Sequence, residues 1–197
     1  MLVLDPDATR LVANYTPQNT DILEQNDTDL GSTSPALLDA THVAQAGKDG
    51  QIRVIDLQSS SGATPHRGGE TQTVRTPGGS AVFTALAVYR HAGQVLLIAA
   101  DGGGTAAWTY GNGSLTAAWS NANAGTSPVV ADGLLYVYNP GGTLRVYEPD
   151  TGNPVTQLTC GGGHWNSPIV ADGRIALPEG SANSHNTSGV LDIWRLP

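Results

Sequence analysis

Residues 127–152 read SPVVADGLLYVYNPGGTLRVYEPDTG, three short apolar runs separated by Asp-Gly, Asn-Pro-Gly-Gly and Pro-Asp-Thr-Gly. Asp-Gly and Gly-Gly supply the positive φ angles that tight hairpin turns need, and the runs between them have strand length and strand composition. The stretch therefore reads as an antiparallel meander. Strand A covers 128–131, strand B 134–138 and strand C 143–148, with strand D at 155–159 after the last turn.

The same pattern recurs. STSPALLDATHVAQAGKDGQIRVIDL (32–57) and HWNSPIVADGRIALPEG (164–180), the latter followed by GVLDIWRL (189–196), begin with Ser-Pro, continue as an apolar strand and an Asp, and end in an alternating run. The Ser-Pro prolines stand at 35, 128 and 168, so the last two units are 40 residues apart (168 − 128). The first gap is long enough for a further, degenerate unit, which fits FTALAVYRHAGQVLLIAADGGGTAAWTY (83–110). Repeats of this period holding four strands each are the signature of propeller blades. The expected fold is all-β: a β-propeller of about four four-stranded antiparallel blades, near 17–76, 80–121, 123–160 and 163–197.

The last unit shows strands A (168–171), B (174–178) and C (190–196) and no strand D, whereas LVLDPDATRLVANYTP (2–17) resembles RVYEPDTGNPVTQLT (145–159). Residues 1–16 thus read as the end of a C strand followed by a D strand at 11–16. Because ring closure removes exposed strand edges, that D strand is expected to complete the last blade, within its own chain or in a partner.

Composition agrees with short strands and many turns: of 197 residues, 13% are charged, 25 are glycine and 12 are proline. The net charge of −8 repels phosphate backbones, and no cluster of basic residues overrides it, so nucleic acid is excluded as an expected partner. A single cysteine, Cys160, excludes an intrachain disulfide, a Cys-x-x-Cys metal knuckle and a Cys-x-x-Cys-His haem attachment. No run approaches the roughly 18 apolar residues of a membrane helix, and MLVLDPDATR lacks a signal peptide's basic start and apolar stretch.

LLDATHVAQAGKDGQIRVIDL, SPVVADGLLYVYNPGGTLRVYEPDTG and SPIVADGRIAL resemble the pyrroloquinoline-quinone-like propeller repeat of quinoprotein dehydrogenases and of the outer-membrane assembly lipoprotein of the Bam complex. That family's blades end in a Thr-Gly turn followed by a docking tryptophan. Thr151 and Gly152 match the turn, Thr156 stands in the tryptophan place, and NGSLTAAW (112–119) keeps a tryptophan at a looser spacing. The resemblance implies a ring of seven or eight blades, of which four are half, and hence a homodimer closing an eight-bladed ring as one possible assembly. It also implies a periplasmic or extracellular setting. Pyrroloquinoline quinone with calcium would be the cofactor of a dehydrogenase; the vicinal cysteine pair of many such enzymes is impossible here, and no acidic cluster matches their calcium site.

Other chemistries have simpler structural readings. No Gly-x-Ser-x-Gly elbow is present, and the hydroxyls of Ser34, Ser127 and Ser167 are expected to bond backbone at strand entry. DPDATR (5–10) and EPDTGN (148–153) are turns without the length or twelfth ligand of an EF-hand loop. His42, His66 and His91 read as structural, and Trp108, Trp119, Tyr136, Tyr138, Tyr147 and Trp194 as packing between blades.

In a four-stranded meander the D-to-A and B-to-C connections share one face. CGGGHWN (160–166) and the insertion EGSANSHNTSG (179–189) therefore meet on one rim, which gathers His164, Trp165, Asn166, Glu179, Asn183 and His185 as the candidate ligand site. His164 and His185, with Glu179, are the candidate metal ligands, and Trp165 with the asparagines suits a sugar or quinone ring. The same face collects Asp27, Asp29, Lys48, Asp49, Asp101, Asn121, Asn123 and Asn139. The expected function is a non-catalytic scaffold that needs no cofactor and binds a small ligand or protein partner through this loop face. The alternative is a fragment of a quinone-dependent oxidoreductase.

Overall fold

The computed structural model describes residues 1–181 and 189–195. A hairpin of β1 (Leu2–Leu4) and β2 (Leu11–Asn14) comes first and a six-residue helix, α1 (Thr20–Gln25), follows. The first four-stranded sheet holds β3 (Ala36–Leu37), β4 (His42–Ala46), β5 (Gln51–Asp56) and β6 (Gln72–Arg75). The second holds β7 (Ala87–His91), β8 (Gln94–Asp101), β9 (Gly104–Gly111) and β10 (Ser114–Asn121). The third holds β11 (Thr126–Ala131), β12 (Leu134–Asn139), β13 (Thr143–Tyr147) and β14 (Pro154–Thr159). The last has three strands, β15 (Ile169–Ala171), β16 (Arg174–Pro178) and β17 (Leu191–Arg195). Each is an antiparallel meander in chain order, so the turn chemistry at 127–159 places all four strands to within two residues.

The core is not one mass but a series of seams between neighbouring sheets. Side chains alternate across a strand, so a strand buried on both faces feeds two seams. In β8, Leu97 and Ala99 pack with the first sheet while Leu96, Ile98 and Ala100 pack with the third. In β12, Leu135 and Val137 face the second sheet and Tyr136 and Tyr138 face the last. Each such fully buried aliphatic side chain contributes about 1.5–3 kcal/mol, and the seams hold the sheets side by side as successive blades.

One seam carries a specific lock. Trp119 of β10 crosses to the third sheet, where its indole Nε1 donates to Pro149 O at 2.8 Å. Its ring covers Gly152, where an added Cβ would lie 2.6 Å from indole carbons. Thr151 shapes this turn, its hydroxyl donating to Glu148 Oε2 at 2.8 Å and accepting from Asn153 N at 3.1 Å. A tryptophan from one blade thus docks on the Thr-Gly turn of the next.

The N-terminal strand excludes one of its two expected destinations. Residues 2–14 do form the C-to-D-like hairpin, with Val3 opposite Ala13, but β2 does not complete the last sheet of its own chain. It lies on the first sheet: Asn14 N donates to Ser60 O at 3.0 Å, the Asn14 amide donates to Gly62 O and Thr64 O, and Tyr15 packs with Val43 and Ile55. The physical reason is local. The 59–80 stretch, poorest in repeat character, supplies backbone acceptors beside β2, and the buried Tyr15 hydroxyl bonds Glu70. Among the described residues β17 therefore pairs only with β16.

Candidate functional site

Five connections converge on one side of the array and line an open cavity of about 380 Å³. The D-to-A connections bring Ser80, Phe83 and Thr84, then Ala124 and Gly125, then His164 and Trp165; the B-to-C connections bring Asp101, Gly102 and Pro140. The cavity is thus lined by the two classes of loop that strand direction assigns to one face. Phe83 and Trp165 stack, ring centroids 4.9 Å apart and planes 18° from parallel. His164 lies against Trp165 at 3.9 Å, tilted 49°. Trp165 remains 47% exposed and Phe83 38%, so a flat aromatic platform with open area faces the cavity.

Asp101 fixes the floor. It is 3% exposed, and its carboxylate accepts from the backbone N–H groups of Gly78, Ser80, Gly103 and Gly104 at 2.8–3.2 Å. One side chain therefore pins a D-to-A loop of the first blade to a B-to-C turn of the second. The two loops approach so closely that a Cβ on Gly78 would stand 2.5 Å from Gly103 Cα, which only a glycine pair permits.

The other sequence-derived residues divide. Asn166 Oδ1 accepts from His164 N at 2.7 Å and its amide donates to Pro178 O at 2.7 Å, clamping the platform loop to β16. Glu179 accepts from Gly161 N–H, a bond that, with Asp192, holds its carboxyl below the usual range. Asp192 is raised by its bond to Glu179. The Tyr138 hydroxyl donates to Gly161 O at 2.9 Å, and its phenol is pushed up to about 12, first by burial and then by Cys160 and Glu179. Asn166 and Glu179 thus brace the loop from behind, while His164 and Trp165 line the cavity. Asn183 and His185 lie outside the described residues.

Elsewhere on this face, Lys48 bridges Asp27 and Asp29 at 3.0 Å each, Asp49 pairs with Arg53, Asn121 Oδ1 accepts from Asn123 N within its own turn, and Asn139 accepts from Gly141 N while its amide donates across to Ala124 O at 3.1 Å. Phe83 is the residue that sequence reasoning left out. The available signal was its position: a lone phenylalanine in a D-to-A connection, the same loop class as Trp165. Ser127 bonds backbone at strand entry as expected, its hydroxyl donating to Trp165 O at 3.4 Å.

Among the described residues no three His, Cys, Asp or Glu side chains stand close enough to share a metal ion.

No family model and no curated protein matches this chain. Solved structures do. The computationally designed Ika4 protein is similar over 84% of this chain and 91% of its own, at 18% identity and a TM-score of 0.57. BamB from Moraxella catarrhalis is similar over 74% of this chain at 15% identity and a TM-score of 0.51. The WD40 domain of Toxoplasma gondii coronin is similar over 80% at 16% identity and a TM-score of 0.55. These neighbours are propellers, and at such identity they show the fold: the chain is a partial β-propeller. It spans 42% of the length of the BamB chain and 42% of the coronin chain. No helix among the described residues is long and apolar enough to cross a membrane.

Proposed function

We propose that this chain is a non-catalytic binding scaffold whose ligand enters the cavity over the Phe83–Trp165 stack. The half-exposed stacked pair carries the reading. An aromatic surface held flat by a neighbouring ring, fed by loops of three blades, is preorganised for a planar ring or a sugar face, and such stacking contributes about 0.5–1.5 kcal/mol per ring pair. The lining offers the Ser80 hydroxyl for orientation, whereas Thr84 Oγ1 accepts from Ser127 N, the Thr126 hydroxyl donates to Asn166 O and Asp101 is already saturated by backbone donors. The docking of Trp119 on the Thr151–Gly152 turn supports the quinoprotein-type repeat as the ancestry of the blades.

Ligand-observed NMR against fragment-sized aromatic and carbohydrate compounds tests this. Compounds that compete for one site are expected, with affinity reduced about tenfold or more by Trp165→Ala and also reduced by Phe83→Ala. Hits unaffected by either change, or no hit at all, would sink the proposal.

A second copy of the chain is the proposed protein partner. The last sheet turns Ile169, Leu191 and Ile193 outward on one face, each 58–65% exposed. At the opposite end the hairpin presents Leu2, Leu4 and Val12. An arc of this size fills nearly all of the Ika4 chain and under half of BamB, so two copies packed head to tail through these faces complete a ring. Sedimentation velocity is expected to show a concentration-dependent dimer that Leu191→Asp converts to monomer. A monomer at every concentration, or open polymers, contradicts the closed pair.

A further inference from the structure

The first and third blades carry the same strand. GQIRVID (50–56) and GTLRVYE (142–148) superpose residue for residue in the repeat, with the central arginine at Arg53 and Arg145. Both arginines sit at mid-strand on the face turned toward the preceding unit, which is the hairpin for β5 and the second blade for β13. Their surroundings differ.

Arg53 is neutralised from within. Asp49, four residues earlier, accepts from its Nη2 at 2.6 Å and its Nη1 at 3.3 Å, and Glu70 Oε1 stands 3.7 Å from its Nε. The Arg53 side chain is 3% exposed, so a guanidinium at this blade position is retained in a nearly dry setting by carboxylates.

Arg145 keeps the guanidinium and has lost both acids. Gly141 stands where Asp49 stands, and Pro154 holds the place of Glu70, three residues before the cross-strand partner of the arginine (Gln157 for Arg145, Thr73 for Arg53). Arg145 Nη1 is buried and meets no acceptor, and among the described residues no carboxylate reaches ion-pair distance of it. The Arg145 side chain is half-buried, and a guanidinium N–H kept from water without an acceptor is costly. The residue nonetheless lines a groove of about 500 Å³ beside Asn123, Thr156 and Gln157, side chains able to donate hydrogen bonds to an anion.

We propose that this groove, formed by β13, β14 and Asn123 of the connection entering the third blade, is a carboxylate-binding site, in which an external carboxylate takes the place that Asp49 holds in the first blade. The planar fork of a guanidinium matches a carboxylate through two parallel bonds. The chain's charge of −8 weighs more heavily against a doubly charged phosphate than against a single carboxylate. The carboxylate comes from a small organic acid or from an acidic side chain of a peptide. This site is separate from the aromatic cavity and does not depend on it.

The test is a ¹⁵N chemical-shift titration of the full chain with sodium acetate, and separately with a blocked Gly-Glu-Gly peptide, at constant ionic strength with chloride as balance. Saturable shifts at β13, β14 and Asn123 are expected, weakened at least about tenfold by Arg145→Gln and unaltered by Arg174→Gln on the exposed β15–β16 turn. Gly141→Asp restores the internal acid of the first blade and is expected to abolish the response while raising the thermal midpoint. Saturation by acetate identifies a small acid as sufficient, and saturation by the peptide alone identifies an acidic segment as the source; both support the site. Shifts that never saturate, that persist in Arg145→Gln and Gly141→Asp, or that follow phosphate more strongly than acetate overturn it.

Discussion

Asp101→Ala is expected to lower the unfolding free energy by about 3–5 kcal/mol, measured by urea denaturation. Four backbone donors from two loops converge on this one carboxylate. Each donor left without an acceptor costs about 1–3 kcal/mol where it stays dry, and the partly exposed turn glycines recover some of that from water, which brings the total below the simple sum. Asp101→Asn tests the charge separately, because an amide keeps one acceptor oxygen and turns an NH₂ toward donors. Its expected loss is more than half that of the alanine variant. The functional consequence goes further than stability. Without Asp101 the Gly78 loop is released from the Gly103 turn, the wall carrying Phe83 loses its anchor, and any binding that depends on Trp165 falls with it. A cost under about 1 kcal/mol, the level of an ordinary surface change, would show that the two loops hold their approach without the carboxylate.

The strands of the third blade were legible because their turns are written in Asp-Gly and Gly-Gly, whose left-handed backbone is realised at Asp132, Gly133 and Gly142. The destination of the N-terminal strand was not legible. Alternation shows that residues 11–14 form a strand and shows which face is apolar, but not which edge receives it. That was decided by the Asn14 amide reaching Gly62 O and Thr64 O, contacts with a stretch that has no repeat pattern to align. Loop positions behaved similarly. Strand direction alone placed His164 and Trp165 on the cavity side with Asp101, whereas the orientation of Asn166 and Glu179 toward backbone depended on individual hydrogen bonds that composition does not encode. Arg145 is a different case. The repeat was visible, yet the meaning of the arginine emerged only when the acids around its twin Arg53 were located in space.

Gly152→Ala is expected to cost about 3–4 kcal/mol, from two causes that can be separated. Gly152 has φ +71°, a left-handed conformation that costs a side-chain-bearing residue about 1 kcal/mol or somewhat more. The remainder is steric: the new Cβ would lie 2.6 Å from Trp119 Cδ2 and Cε3. The indole cannot simply retreat, since Nε1 is held by Pro149 O and the ring packs into the seam between the second and third blades. Trp119→Ala removes that packing and the hydrogen bond, with an expected loss of about 3–4 kcal/mol on its own. In the double variant the Cβ has room, so only the backbone strain adds to the tryptophan loss. The coupling between the two changes is therefore expected to be about 1–3 kcal/mol, read from a denaturation cycle of four proteins. Strictly additive losses would mean that the indole and the turn are independent, and the seam would then owe its register to the apolar strands alone. Strong coupling would instead make the Trp119–Gly152 contact the element that sets the angle between consecutive blades, and hence the curvature on which both the aromatic cavity and a closed two-chain ring depend.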